Sequence, residues 1–304
     1  MSGKPVPFWR RLEAGALLPL AAGLRRLPPP ARVAVGERLG LLGHAIDRRH
    51  RELARENVRR GLGVDEARAA EIVRGVFRHF GRVAAEVLSL PAYARPGAER
   101  LFEIEGFEHL ETAWARGRGV LVFSAHYGNW ELVAFRQGLA GFPMDFIARP
   151  LDNPWLERAF ARWREVSGNR VLGKHGALRK ALRTLRSGRG LAILVDQNQR
   201  VEPRVFVEFL GRPAATSPVL GELAVRLDVP VVPVTGRPLP GGRYRVVYEP
   251  PLVPPPGDPR EASRALTVMA TRRIEAWIRE APELWLWLHD RWKTGPREGE
   301  EVLR

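Results

Sequence analysis

The sequence predicts an α/β protein with a mostly parallel central sheet flanked by helices, preceded by a helical N-terminal part. Two patterns predict this architecture. Beyond residue 96, short and continuous apolar runs recur, as is typical of strands that are buried on both faces of a sheet. Helical patterns lie between these runs, and this alternation indicates parallel strands with helices on both faces. The chain has 304 residues, which is enough to bury a sizeable core.

The elements of the α/β core are predicted from the apolar runs and from the periodic segments between them. The predicted strands span residues 119–124, 142–148, 190–195, 229–234 and 244–248. The predicted helices of this part span residues 130–139, 155–166, 178–186, 217–227 and 261–280. We place the α/β core at residues 96–294 and expect residues 295–304 to form a frayed polar tail.

Residues 1–95 form the predicted helical N-terminal part. Helical patterns span residues 31–46, 48–62 and 66–90. The last of these ends before Pro91 and carries an apolar stripe at a spacing of three or four residues, which predicts one buried helix face. The stripe consists of Ile72, Val76, Phe80, Val83 and Val87.

A short apolar run, residues 12–24, comes before these helical patterns. Pro19 interrupts it, and a membrane-spanning helix needs about 20 apolar residues, so the run is too short to span. Trp9 and two arginines precede the run and two more arginines follow it, which is the pattern of an anchor that lies in the membrane interface. The alternative is a helix that packs on the rest of the protein.

The charge is strongly positive, because 49 lysine and arginine residues face 34 acidic ones and give a net charge of +15. Such a field favours a polyanionic partner, namely nucleic acid, anionic lipid headgroups or an acidic carrier protein. Nearly all of the positive charge is arginine, and GC-rich coding is the alternative explanation. The absence of cysteine excludes disulfides, thiolate nucleophiles and cysteine-ligated metals.

The segment Ser124-Ala-His-Tyr-Gly-Asn-Trp-Glu131 carries the predicted chemistry. A buried strand delivers His126 to its carboxyl end, where open α/β sheets place their sites. A helix begins near Trp130, and a histidine ahead of it can fold over the first turn toward Glu131. We therefore predict that His126 is a general base and that Glu131 orients it. The alternative is a histidine that only satisfies a hydrogen bond at a strand end.

These residues closely resemble the His-x4-Glu motif of the bacterial lipid A biosynthesis acyltransferase family. The family is of the lauroyl and myristoyl acyltransferase type and includes phosphatidylinositol mannoside acyltransferases. The resemblance continues in order along most of the chain, in Arg149-Pro150, Asn153-Pro154, Arg164, Leu194-Val-Asp-Gln197, Phe206-Val-Glu-Phe-Leu-Gly211, Pro213, Thr216 and Trp287-Leu-His-Asp-Arg-Trp-Lys293. Asp290 stands where the family usually has arginine, so no role is assigned to His289.

The resemblance implies a glycerolipid-acyltransferase-like fold and an acyl thioester donor, either acyl carrier protein or coenzyme A. It also implies a membrane lipid acceptor, a glycolipid or phospholipid hydroxyl, and no cofactor beyond the acyl co-substrate. The implied location is the cytoplasmic face of the inner membrane, peripheral or monotopic, on an anionic surface. The residues fit this chemistry. A general base that removes the proton of a lipid hydroxyl contributes roughly 10²–10⁴-fold to the rate. Such a mechanism needs no nucleophilic cysteine and no Gly-x-Ser-x-Gly segment.

Three further residues of the matching segments are candidate substrate-binding residues. Arg149 and Arg164 are predicted to grip a phosphate of the acceptor or of the donor, since a guanidinium binds phosphate in a bidentate manner. The alternative for both is a solvated surface arginine. Asp196 follows the predicted strand 190–195 and is expected to orient basic neighbours; the alternative is a turn or N-cap residue.

A basic helix is predicted over residues 178–189, with its charges on the outward face. A solvated face explains this pattern, and the alternative is a docking surface for an acidic acyl carrier protein or anionic headgroups. The outward residues are Arg179, Lys180, Arg183 and Arg186.

Rival classes of function have weaker support. A nucleic-acid-binding protein would fit the charge, but the sequence has no zinc-finger, helix-turn-helix or RNA-recognition signature, so no nucleic acid partner is expected. A basic membrane-binding protein that keeps the fold without catalysis is opposed by the intact His126 and Glu131. A metal hydrolase lacks a second histidine at ligand spacing from His126, and no metal site is predicted.

Overall fold

The computed structural model describes residues 7–148, 150–173 and 175–304. Its α-helices are α1 (Phe8–Leu24), α2 (Pro29–Ile46), α3 (Arg48–Leu62), α4 (Glu66–Val87), α5 (Phe107–Ala115), α6 (Trp130–Leu139), α7 (Pro154–Glu165), α8 (Ala177–Arg186), α9 (Val219–Leu227) and α10 (Pro259–Glu280). Its strands are β1 (Phe102–Glu105), β2 (Val120–Ser124), β3 (Met144–Ala148), β4 (Arg170–Gly173), β5 (Gly190–Leu194), β6 (Val205–Phe209), β7 (Arg212–Thr216), β8 (Val231–Leu239), β9 (Arg243–Tyr248) and β10 (Val302–Leu303).

The helical N-terminal part is built from helices with capped ends and close contacts. The side chain of Asp65 accepts a hydrogen bond from the Arg68 amide and caps the start of α4. Glycines let α2 and α4 approach closely: a Cβ added at Gly40 would lie 2.1 Å from the carbonyl oxygen of Phe77. The axes of these helices could not come this close with a larger residue at that position.

Helix α1 runs without a break through Pro19, where the sequence predicted an interruption. It buries Ala14, Ala21 and Leu24 against the protein. Within the described part of the chain, no helix combines the length and the apolar character needed to cross a membrane.

Seven of the described strands form the central sheet, in the order β1-β9-β8-β2-β5-β3-β4. Strands β8, β2, β5, β3 and β4 are parallel to one another. Strand β9 is antiparallel to β8, and β1 is parallel to β9, so these two edge strands run in the opposite direction. The predicted α/β class with a mostly parallel sheet flanked by helices is confirmed.

Two hydrophobic clusters cover the two faces of the sheet. In β2, Leu121 and Phe123 belong to one cluster while Val120 and Val122 belong to the other, as the alternation of side chains along a strand requires. The first cluster also contains residues of α3, α4, α8, α9 and α10, and the second contains residues of α5 and α6 with Trp163 of α7 packed against it. The N-terminal helices therefore share a core with the α/β part.

A second, three-stranded sheet has the order β10-β6-β7. Strands β6 and β7 form a hairpin whose turn residues, Leu210 and Gly211, both have positive φ. Val302 and Leu303 pair with β6 and extend this hairpin. The expected frayed tail is therefore wrong for these two residues, because two apolar residues at the end of the chain complete a sheet edge.

The sequence located the long elements closely and missed short ones. Helices α3 and α6 begin and end where predicted, and the five predicted strands correspond to β2, β3, β5, β8 and β9. Strands β1 and β4, of four residues each, and helix α5 were not predicted. Each is too short to show a clear period in the sequence.

Candidate active site

His126 and Asp196 face each other at the carboxyl edge of the central sheet. Strands β2 and β5 are paired so that Ser124 lies opposite Leu194. Each of the two candidate residues follows its strand by two positions. The Nδ1 atom of His126 lies 2.9 Å from Oδ1 of Asp196. Because a carboxylate only accepts, Nδ1 carries the proton and Nε2 is left with its lone pair.

Asp196 is fully enclosed and holds three donors. Its Oδ2 atom accepts hydrogen bonds of 2.8 Å from the backbone amide of His126 and from Nε1 of Trp285. Burial alone would raise the pKa of this carboxyl group. His126 and these hydrogen bonds outweigh burial and hold the pKa of Asp196 below its ordinary value. The carboxylate is therefore ionised and fixed in place.

The pKa of His126 is shifted upward. Burial favours the neutral ring, but the negative charge of Asp196, its hydrogen bond and the more distant charge of Glu131 outweigh burial. The side chain is 18% exposed, so a substrate atom can still reach Nε2. The ring also packs edge-on against Trp130, at 4.9 Å between ring centroids. His126 is thus a basic imidazole with a fixed orientation.

The turn after His126 is held by close backbone contacts. Gly128 has a φ of 59°, and a Cβ added there would lie 1.9 Å from the carbonyl oxygen of Gly236. Only glycine fits this position. Nε2 of the buried His79 donates a hydrogen bond of 3.0 Å to the carbonyl oxygen of Gly128. Burial lowers the pKa of His79 to about 4, so this ring is neutral at neutral pH.

Asn129 starts helix α6 and ties it to a buried polar network. Its Oδ1 accepts from the Leu132 amide at 3.0 Å, and its Nδ2 donates to Glu86 at 2.9 Å. Glu86 also accepts hydrogen bonds from Arg82, at 3.0 Å, and from the hydroxyl of Tyr244. This network of buried side chains therefore fixes the position of the first turn of α6, which carries Glu131.

Glu131 is paired with Arg164 of helix α7. The Nε and Nη2 atoms of Arg164 donate to the two carboxylate oxygens of Glu131 at 3.0 and 2.7 Å, a bidentate arrangement. Both side chains are about one-fifth exposed, at 21% and 23%. The orienting hydrogen bond predicted for Glu131 is made by Asp196 instead. The reason is topological: β5 is the neighbour of β2, and the pairing of Ser124 with Leu194 brings Asp196 beside His126.

The structure brings four of the five predicted site residues together. His126 contacts Asp196, and Glu131 contacts Arg164. The side chain of Asp196, expected to orient basic neighbours in a substrate site, is buried against the candidate base. Arg149 lies outside the described residues.

A cavity of about 670 Å³ opens beside His126, Glu131 and Arg164. Its lining is mostly aliphatic and is contributed by β2, β3, β5, α6, α8 and α9. The amide of Gln197 donates to Nε2 of His126 at 3.3 Å, and this exposed side chain occupies the position that a substrate hydroxyl would take. The unprotonated nitrogen of the candidate base therefore faces the mostly apolar cavity.

The cavity follows a split in the central sheet. Pairing between β3 and β5 ends at Phe146 and Ala192. Beyond this point β3 remains paired with β4, and β5 with β2. Phe146, Ala192 and Leu194 line the cavity together with Ile147 and Ile193, whose side chains point to the other face. The space thus has walls on both faces of the sheet.

Sequence reasoning missed two residues of the site. Trp285, which holds Asp196, comes from the segment after α10, and Gln197 follows Asp196 directly. A signal existed for both: Gln197 belongs to a matching motif, and Trp285 lies in the aromatic stretch 284–288. Among the described residues, no group of three or more potential ligands is placed to hold a metal ion.

The fold and the site are those of an α/β protein with a histidine–carboxylate pair at the carboxyl edge of a parallel sheet, beside an apolar cavity. Comparison with known proteins identifies the family. Residues 14–294 match the family described as bacterial lipid A biosynthesis acyltransferase, and the chain belongs to this family. It is an O-acyltransferase, and the resemblance stated from the sequence motifs is confirmed.

Individual relatives cover most of the chain at modest identity. The lipid A biosynthesis lauroyltransferase of Escherichia coli (strain K12) is 28% identical over 279 residues, which cover 89% of this chain and 88% of the relative. The palmitoleoyltransferase of the same organism is 27% identical over 276 residues, with the same coverage. A phosphatidylinositol mannoside acyltransferase of Mycobacterium tuberculosis (strain CDC 1551 / Oshkosh) is 26% identical over 189 residues, 60% of each chain.

Proposed function

We propose that this protein transfers a fatty acyl group from an acyl thioester to a hydroxyl group of a membrane glycolipid or phospholipid. The observation that carries the proposal is the unprotonated Nε2 of His126, backed by the buried Asp196, at the wall of an apolar cavity of about 670 Å³. The names of the relatives support a lipid acceptor, since they include lipid A acyltransferases and phosphatidylinositol mannoside acyltransferases.

The proposed reaction begins when the acceptor hydroxyl displaces the amide of Gln197 from Nε2 of His126. Nε2 takes the hydroxyl proton as the oxygen attacks the thioester carbonyl, and a C–O bond forms. The C–S bond then breaks, and the sulfur leaves as a thiol with the proton returned by the imidazolium. Asp196 stabilises the positive ring formed between these two steps and keeps Nδ1 protonated.

Glu131 and Arg164 are proposed to place substrate beside this base. Arg164 uses Nε and Nη2 on Glu131, so Nη1 is the nitrogen that can reach a ligand in the cavity. In our proposal the guanidinium contacts an anionic group of the acceptor or the donor, and Glu131 keeps it in position while adding to the basicity of His126. We propose an anion-binding role for Arg149 as well.

The cavity is proposed to hold the acyl chain. Burying a methylene group contributes about 0.8 kcal/mol, so an aliphatic lining can bind a long chain without any polar contact. Because β3 and β5 separate beyond Phe146 and Ala192, side chains from both faces of the sheet line this space. Only the thioester end then needs to lie near His126.

Helix α1 is proposed to hold the enzyme on the membrane surface. It turns an apolar face to solvent, with Trp9 and Leu12 at 57% and 60% exposure and Leu20 at 40%. The opposite face packs on the protein, and its Arg10 carbonyl oxygen accepts a hydrogen bond of 2.8 Å from Asn153, at the start of α7. The anchor therefore lies next to the helix that carries Arg164. The proposed location is the cytoplasmic face of the inner membrane, where acyl thioesters are available.

The test is a transfer assay with purified protein and total membrane lipid. Acyl carrier protein and coenzyme A, each loaded with lauroyl, myristoyl or palmitoleoyl chains, serve as donors. We expect a lipid product heavier by one acyl group and the release of one thiol per product, measured by mass spectrometry and a thiol reagent. His126→Ala should abolish both while the thermal unfolding temperature stays near that of the wild type. An active His126→Ala enzyme, or thiol release without acylated lipid, would contradict the proposal.

A further inference from the structure

Helix α8 carries three arginines that have no ion-pair partner among the described residues. Arg179, Arg183 and Arg186 are exposed and share one helix face, at spacings of four and three. In the described part of the chain, no carboxylate lies within 4.0 Å of any of the three. Helix α3 has a similar density of arginines, but there Glu52, Glu56 and Glu66 lie beside them.

The buried face of the same helix borders the cavity. Ala177, Leu178 and Ala181 contribute to the cavity wall, and Ala181 is buried while Leu178 is 49% exposed. A partner held on the arginine face would therefore lie one helix width from the space proposed for the acyl chain.

The arginine face and the proposed membrane anchor lie on opposite faces of the sheet. Helix α8 packs into the cluster that contains Leu185 and Trp277. Helix α1 instead packs on α7, whose Trp163 packs against the other cluster. The ring centroid of Trp163 lies 4.0 Å from Cζ of Arg25, the residue that follows α1. A flat bilayer that meets the apolar face of α1 would have the sheet between it and α8. The only exposed large apolar residue on α8 is Leu178, so the face is suited to a charged protein surface more than to a membrane.

We propose that Arg179, Arg183 and Arg186 form the docking surface for an acidic carrier protein that delivers the acyl thioester. The proposal rests on the proposed function and assigns the donor and the acceptor to opposite sides of the sheet. The thioester arm enters past Leu178 on the α8 side, and the lipid hydroxyl arrives from the α1 and α7 side. Both reach His126 because the cavity has walls on both faces of the split sheet.

The contact is electrostatic, so it should act on binding and should weaken with salt. The test compares two donors that carry the same acyl chain, acyl carrier protein and a pantetheine thioester that has no protein part. The variant is Arg179→Glu with Arg183→Glu. The matched control is Arg74→Glu with Arg78→Glu, two exposed arginines at the same spacing on α4, which changes the net charge by the same amount.

We expect the α8 variant to raise KM for the acyl carrier protein donor at least tenfold at low salt, with kcat nearly unchanged. Turnover of the pantetheine thioester should be unaffected, and the control should match the wild type with both donors. Calorimetric binding of holo-acyl carrier protein should be lost in the α8 variant only, a measurement that needs no turnover.

An α8 variant that binds the carrier protein as the wild type does would overturn the proposal. The proposal would also fail if the α8 variant lost binding to anionic vesicles while its KM for the carrier protein stayed unchanged, because that result would assign this face to the membrane. If the wild type binds the carrier through α8 but turns over neither thioester, the docking surface stands and the proposed function fails.

Discussion

Asp196 holds His126 at two points, through the ring nitrogen Nδ1 and through the backbone amide. The two contacts come from different oxygens of one carboxylate, at 2.8 and 2.9 Å. The contact with the backbone amide keeps the carboxylate in place. The ring therefore cannot rotate about the Cα–Cβ bond of His126 without losing the hydrogen bond between Nδ1 and Asp196. This relationship fixes both the orientation and the tautomer of the candidate base.

Asp196→Asn tests that relationship with almost no change in shape. The asparagine oxygen can still accept from the His126 amide, but its nitrogen is a donor and faces Nδ1. The ring then carries its proton on Nε2 and cannot take one from the acceptor hydroxyl. We expect kcat to fall about 10²-fold or more, with KM changed little. The measurement is steady-state transfer, and Asp228→Asn, at an exposed position, is the control. Wild-type kcat in Asp196→Asn would exclude the base role.

The pH dependence of transfer should follow the raised pKa of His126. The base acts in its neutral form, so kcat/KM should rise with pH and level off above a pKa that lies higher than the ordinary value of about 6.5. Glu131→Gln removes one of the negative charges that raise this pKa and leaves Arg164 uncompensated. Its acid limb should therefore move to lower pH, even though its rate is lower. An unchanged limb in this variant would mean that another group titrates.

The site shows which features a sequence reveals and which it does not. His126, Glu131 and Asp196 could be found because each lies at the end of an apolar run or in a motif. Which of these residues pair with one another could not be predicted, since the order of strands in the sheet is not written in any local pattern. Once β5 is known to lie beside β2, the register that pairs Ser124 with Leu194 makes the contact between His126 and Asp196 unavoidable. The helix boundaries were easier, because caps and periodicity are local.

His79 provides a prediction about stability. Its pKa falls from about 6.5 in the unfolded chain to about 4 in the fold, with burial as the main cause. Between these values the unfolded chain binds more protons, so stability falls as pH decreases. Because of this group, the free energy of unfolding should be about 2 kcal/mol lower at pH 5 than at pH 8. In His79→Gln, whose amide can still donate to Gly128, that part of the pH dependence should disappear.

Urea unfolding at several pH values measures the effect. His175→Gln, at an exposed position, is the matched control and should keep the wild-type pH dependence. If His79→Gln and the wild type lose the same free energy of unfolding between pH 8 and pH 5, His79 is not held neutral by the fold.

The apolar face of α1 should bind membranes through side chains that the fold does not need. Leu12→Ser with Leu20→Ser removes two leucines that are 60% and 40% exposed, while Ala14, Ala21 and Leu24 keep the helix packed. If each leucine contributes about 1 kcal/mol on insertion, affinity for anionic vesicles should fall roughly 30-fold.

The control is Leu42→Ser with Ile46→Ser, two exposed apolar residues of α2, which should leave vesicle binding unchanged. Vesicle co-sedimentation at low and high salt separates the two contributions: arginine contacts are screened, and leucine insertion is not. Transfer to a detergent-dispersed acceptor should survive in the α1 variant, because the residues around His126 are untouched. Equal vesicle binding by the α1 variant and the wild type would place the membrane contact elsewhere and leave α1 as a helix that only packs on the protein.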